Sequence, residues 1–184
     1  ALAVEDASSF MVALSEVQSP EFVGPFGLEP DFSQNAESSF DEIRRDVSGS
    51  VCDEIFAGEP AVDISGGDIQ LVVAKVSGSK IGGMISELRD GTQFALPSDM
   101  HFEFGASRAR ALETRENDVN IYAFSSPTAY PEINSNSDLT FVSSKVGLEL
   151  VSSSSKAEIA VQGLVSPVKM WIPLMEAVDI PVCR

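Results

Sequence analysis

Hydrophobic positions change period about one third of the way along the chain. In the first third, Phe10, Ala13, Leu14 and Val17 recur at the spacing of one helical face, and Ser8 or Ser9 stands ready as N-cap. Residues 19–35 break that pattern with Pro20, Gly24, Pro25, Gly27 and Pro30, which predicts a loop. The loop keeps Phe22, Phe26, Leu28 and Phe32, so it is expected to pack down rather than extend into solvent. From Glu37 to Ala57 the helical spacing returns. Phe40, Ile43, Val47, Val51 and Ile55 line one side, and Gly58 and Pro60 stop the helix. Gly49 weakens that helix by roughly 1 kcal/mol relative to Ala.

From Ala61 the period becomes two. Ile69, Leu71 and Val73 alternate with Asp68, Gln70 and Val72. Short runs follow at Phe94–Leu96 and at Met100, Phe102 and Phe104. Val119, Ile121 and Ala123 come next, with Tyr122 and Phe124 on the opposite face. Val146, Leu148 and Leu150, then Ile159 and Val161, and finally Val168, Met170 and Ile172 complete the series. Gly, Ser, Pro and Asn clusters separate these runs. The segment Ala106–Glu116, rich in Ala and Arg, reads as a short helix or a long loop. The pattern predicts six or seven short strands in a mainly β fold, an antiparallel β-sandwich preceded by a small α-helical layer. Residues 1–58 form the helical segment and residues 59–184 the sandwich.

Charge narrows the partners. The 184 residues carry 28 acids against 12 bases, a formal net charge of −16. Residues 1–63 hold 14 acids and 2 bases, and no Lys or Arg precedes Arg44. Phosphate recognition needs a clustered basic face, so nucleic acid is excluded as a partner, and an anionic membrane surface is disfavoured for the same reason. No apolar run approaches the roughly 20 residues needed to span a bilayer, so no direct membrane insertion by this segment is expected.

Candidate chemistry is sparse. His101 is the sole histidine, and alternation through Met100–Phe104 places it with Glu103 on the polar face of a strand, away from a nucleophile. Cys52 and Cys183 have no metal-ligand spacing. Cys52, beside Val51 on the second helix, reads as a buried thiol, and Cys183 as a candidate disulfide partner. Gly66-Gly67 and Gly82-Gly83 lack the Lys-Ser or Lys-Thr of a phosphate loop, and Asn-x-Ser/Thr does not occur. We therefore expect no catalytic residues, no metal and no cofactor. Trp171, Tyr122 and Tyr130 are the candidate interaction residues, an aromatic platform for a carbohydrate or protein ligand.

Several stretches carry a resemblance. They are Gly58-Glu59-Pro60-Ala61-Val62-Asp63-Ile64-Ser65 leading into Asp68–Val73, then Phe94-Ala95-Leu96-Pro97-Ser98, and Tyr122-Ala123-Phe124-Ser125-Ser126-Pro127. Val146-Gly147-Leu148-Glu149-Leu150, Ala157–Val161 and Pro167-Val168-Lys169-Met170-Trp171-Ile172-Pro173 follow. Over about residues 58–183 the chain resembles the GAIN domain, the extracellular autoproteolysis-inducing module, in the form found in polycystin and receptor-for-egg-jelly proteins. Tyr122–Pro127 lacks the Asn of the family's Asn-Pro-Tyr-like turn. The family cleaves itself at a His-Leu-Ser/Thr tripeptide, and His101 is followed by Phe102 and Glu103.

The resemblance implies a non-catalytic extracellular structural or adhesion module of a larger polycystin-like membrane or ciliary surface protein. It implies a sandwich lacking its last strands, and a first proteolysis-motif cysteine at Cys183. Its partners would then be proteins, including the remaining C-terminal strands of the parent chain. The other reading is a freestanding acidic β-sandwich that binds carbohydrate or protein.

Overall fold

The computed structural model describes residues 4–18, 30–102, 118–126, 145–162 and 164–173. Two helices precede seven strands: α1 (Val4–Gln18), α2 (Pro30–Glu54), β1 (Val62–Asp63), β2 (Gln70–Ser77), β3 (Ile85–Glu87), β4 (Gln93–Ala95), β5 (Asp118–Ser126), β6 (Lys145–Ser152) and β7 (Lys169–Trp171). A 3-10 turn, Gly78–Lys80, follows β2. The fold is mainly β with a small helical part. All strand pairs are antiparallel, in one sheet ordered β1-β2-β5-β6 and a second ordered β3-β4-β7.

The larger sheet is covered on both faces. Leu71 and Val73 of β2, Tyr122 and Phe124 of β5 and Val151 of β6 share a core with Ala7, Met11 and Leu14 of α1 and with Val47, Val51 and Cys52 of α2. On the other face, Ala74, Val76, Val119, Ile121 and Leu150 pack with Ile81, Leu96 and Met100. Phe94 of β4 and Leu88 meet Ala123 there, with Val72, Val146 and Leu148 around them. The helices are thus a layer on the sheet, and the three-stranded sheet is a second layer on its opposite face.

Sequence and structure agree along α2, where Val47, Val51 and Ile55 are buried and Phe40 and Ile43 pack against the core from partly buried positions. The helix starts earlier than its hydrophobic period suggests, at Pro30. Proline suits the first position of a helix, where its missing N–H would have had no partner. Gly58 adopts the left-handed φ of +92° just beyond the helix, and its N–H donates to the Lys75 carbonyl at 2.9 Å.

The buried face of α1 is rotated from the predicted one. Ala7 and Met11 are fully buried and Leu14 nearly so, while Phe10 is 44% exposed and Ala13 is exposed. The cause lies in what α1 packs against. The Gly66-Gly67 turn before β2 presses into the helix, and the Asp68 N–H donates to Ser15 Oγ at 2.8 Å. That contact turns Ser15 and Met11 inward and leaves Phe10 outside.

Two strand expectations also change. Met100 is buried in a turn, Phe102 lies outside any strand, and Phe104 lies outside the described residues. Ile159 and Val161 form no strand; residues 157–159 instead hug the end of β6 through the Val151–Glu158 bridge and the Ile159 N–H to the Leu150 carbonyl. The short strands β1 and β3 carry too few residues to show an alternation. The predicted loop at 19–35 is helical from Pro30 onward, while its residues 19–29 and the Ala106–Glu116 segment lie outside the described residues.

The tightest test of the α1 contact is Gly66. A Cβ there would stand 2.5 Å from the Ser8 carbonyl oxygen and 2.6 Å from the Val12 nitrogen, both backbone atoms of α1. Gly66→Ala should therefore destabilise the protein by about 1–3 kcal/mol, the range for overpacking a close contact. Urea denaturation followed by circular dichroism reads this, and unchanged stability would show that α1 is not held against the turn.

Candidate functional site

Polar groups gather where α2 crosses β5 and β6. Arg44 points from α2 toward the sheet, its side chain 5% exposed, and donates through Nη2 to Glu149 Oε1 of β6 at 2.6 Å. Its guanidinium carbon lies 3.5 Å from the ring centroid of Phe124, a cation–π contact inside the layer interface. Arg45 Nε donates to Glu149 Oε2 at 3.0 Å, so two consecutive arginines clamp one carboxylate. Lys145 reaches Asp41 at 2.8 Å, and Lys156, held at a positive φ of 57°, reaches Asp53. The partners repeat along α2 and along β6 with its following turn, so ion pairs join residues 41–53 of α2 to β6 and that turn.

Burial alone would raise the Glu149 carboxyl. Hydrogen bonds from Arg45 and Arg44 outweigh it and hold the group below the usual carboxylate range. The Arg45 guanidinium is raised in turn, chiefly by its bond to Glu149. Deeper in the interface, Asn120 Nδ2 donates to the Tyr122 hydroxyl at 3.2 Å. Lys75 is 3% exposed beside them on the same face of the sheet.

Tyr122 corrects an expectation. It is 1% exposed, on the helix side of β5 beneath α2, so it belongs to the core and to no surface platform. Burial raises its hydroxyl well above the ordinary value. Trp171 lies on β7 and is 51% exposed. Tyr130 and Cys183 lie outside the described residues. The structure therefore leaves Tyr122 and Trp171 in different layers.

Cys52 is a free thiol, fully buried and pushed up to about 12, first by burial. His101 is exposed, and its Nδ1 lies 3.1 Å from the Asp99 carbonyl oxygen. Among the described residues, no three His, Cys, Asp or Glu side chains gather as a metal site. No described helix is long and apolar enough to cross a membrane. The members of this ion-pair column lie about 100 residues apart along the chain, and only the Arg44-Arg45 pair, set among acids, marks it in the sequence.

What these features define is a helix-backed, mainly β, two-sheet domain whose helical layer is joined to the larger sheet by an ionic seam centred on the buried Arg44. No protein-family model, no curated protein and no solved structure matches the chain.

The seam sets an acid limit on stability. A carboxyl held low in the folded state contributes stability that is full above its unfolded pKa and lost as pH falls through the folded one. That window opens below about pH 4.3, the ordinary glutamate value. Glu149→Gln should cost about 2–4 kcal/mol at pH 7, because Arg44 is left buried without its main counter-ion. It should also flatten the loss of stability below that pH, and denaturation midpoints from pH 7 to pH 3 test both. For Cys52, in a Cys183→Ser background, a thiol reagent should label the protein in denaturant and leave the native protein unlabelled.

Proposed function

We propose that the chain is a non-catalytic, GAIN-like structural or adhesion module in the extracellular part of a larger, polycystin-like surface protein, ciliary in setting. The observation that supports this most is the order and docking of its parts. A helical layer comes first, and it is fixed to a following β-sandwich by one shared core and by the α2–β6 ion pairs. Such a unit resists deformation because pulling on β6 loads its ion pairs with α2 together.

Protein partners fit this reading through the sheet edges. Over Val146–Glu149, no described strand pairs with the outer edge of β6. On β7, Val168, Met170 and Ile172 are 38%, 50% and 50% exposed, although Met170 shares a row with the buried Phe94. The sequence pattern assigned those three to the core. Met170 faces the core side through its pairing with Phe94, yet it is left half exposed. Unpaired edges and a half-covered apolar row are where further strands of the parent chain would add.

The test is the protein in its native source. Labelling of intact cells with a membrane-impermeant reagent, followed by mass analysis and peptide mapping, should find these peptides on the cell surface in a species well above 19.6 kDa. Recovery only as a 19.6 kDa species protected inside the cell would sink the proposal.

A further inference from the structure

The outward face of the three-stranded sheet follows from register. Phe94 is 3% exposed and points at Ala123 and Val72 of the larger sheet. Its neighbours Gln93 and Ala95 must then point to the opposite, outer side. Residues paired directly across antiparallel strands share a face. Glu87 and Trp171 both pair with Gln93, so Glu87, Gln93 and Trp171 stand side by side across all three strands. Ile85, Ala95 and Lys169 form the adjoining outward row. With strands about 4.8 Å apart, the first row is roughly 10 Å long.

This row differs from the polar groups around it. Nearby, Arg89 is bonded to Asp63, and the Gln70 side-chain oxygen accepts the Asp90 N–H. The side chains of Glu87, Gln93 and Trp171 make no hydrogen bond or ion pair with another described residue. A carboxylate that only accepts, an amide that both donates and accepts, and an indole that is half exposed and carries an N–H donor are therefore presented together.

We propose that this row is a binding platform for a neutral pyranose sugar, reached by surface glycans. The goal of each group follows from its chemistry. The electron-rich indole face of Trp171 takes the electropositive C–H face of a sugar ring. Gln93 and Glu87 then lie beside the ring edge, where Gln93 exchanges hydrogen bonds with hydroxyls and Glu87 accepts them. The net charge of −16, together with Glu87 in the row, disfavours sulfated and carboxylated glycans. This inference goes beyond the structural role and does not depend on it.

The sole tryptophan of the chain is Trp171, so its fluorescence reports on this face alone. The experiment titrates the full chain with neutral gluco-, galacto- and manno-configured oligosaccharides, and with heparin as the anionic probe. A saturable change in Trp171 emission with at least one neutral sugar, absent with heparin, is the expected result. Gln93→Ala and Glu87→Ala, both surface changes, should each weaken that response about tenfold or more while leaving the circular dichroism spectrum unchanged. The proposal is overturned by flat emission with every neutral sugar, by a response to heparin instead, or by neutral-sugar binding that survives both substitutions. A protein ligand that shifts the emission where no sugar does also overturns it.

Discussion

Two central strands have to satisfy two layers at once, and most of the structure follows from that demand. β2 sends Leu71 and Val73 toward the helices and Val72, Ala74 and Val76 toward the second sheet. β5 does the same with Tyr122 and Phe124 on one side and Val119, Ile121 and Ala123 on the other. A strand buried on both faces cannot alternate apolar with charged residues, so both read as near-continuous apolar runs. The edge strands β1 and β6 escape the constraint, and the cross-layer charges collect on β6. Glu149 is 13% exposed there, close enough to the boundary to be reached by an Arg45 that keeps contact with water.

The same geometry explains why an ion pair is tolerated beneath a helix. Removing a guanidinium from water costs several kcal/mol, and the attraction of one carboxylate repays this only with good geometry. Arg44 has a short bond to Glu149, a second, longer contact to Asp41 at 3.5 Å and the face of Phe124 below it. Gly147 belongs to this arrangement, because any side chain there would collide with the Phe124 ring. Helix, aromatic ring, glycine and carboxylate are thus one unit, and the register of β5 against β6 fixes it, with Phe124 opposite Gly147 and Tyr122 opposite Glu149.

How much of this was legible depends on how many faces a segment has. The buried stripe of α2 was readable because a helix on a sheet has one wet side, and Val47, Val51 and Ile55 mark the other. The two faces of β5 were readable as faces. What alternation could not say was that both were covered, and so Tyr122 looked available as a surface aromatic. α1 failed for a related reason: Phe10 and Met11 are both large and apolar, and the choice between them was made by the Gly66-Gly67 turn, more than 50 residues away. Alternation through Lys169–Ile172 set Trp171 and Met170 on opposite sides and left Trp171 facing either outward or the helical layer. Its neighbours Glu87 and Gln93 were not legible, since they meet it only through the pairing of β3 and β7 with β4.

The two polar assemblies differ in what evolution can do with them. A change at Arg44 or Glu149 disturbs a buried charge and is felt as stability, so that seam is constrained by folding whatever the protein does. Glu87, Gln93 and Trp171 are not among the buried residues of the core, and none of them is fully enclosed by packing. An exposed tryptophan beside uncommitted polar groups adds apolar surface without adding to the core. The β3-β4-β7 sheet separates these two roles within one strand: Phe94 anchors it to the layers beneath, and the residues on either side of Phe94 are left for recognition.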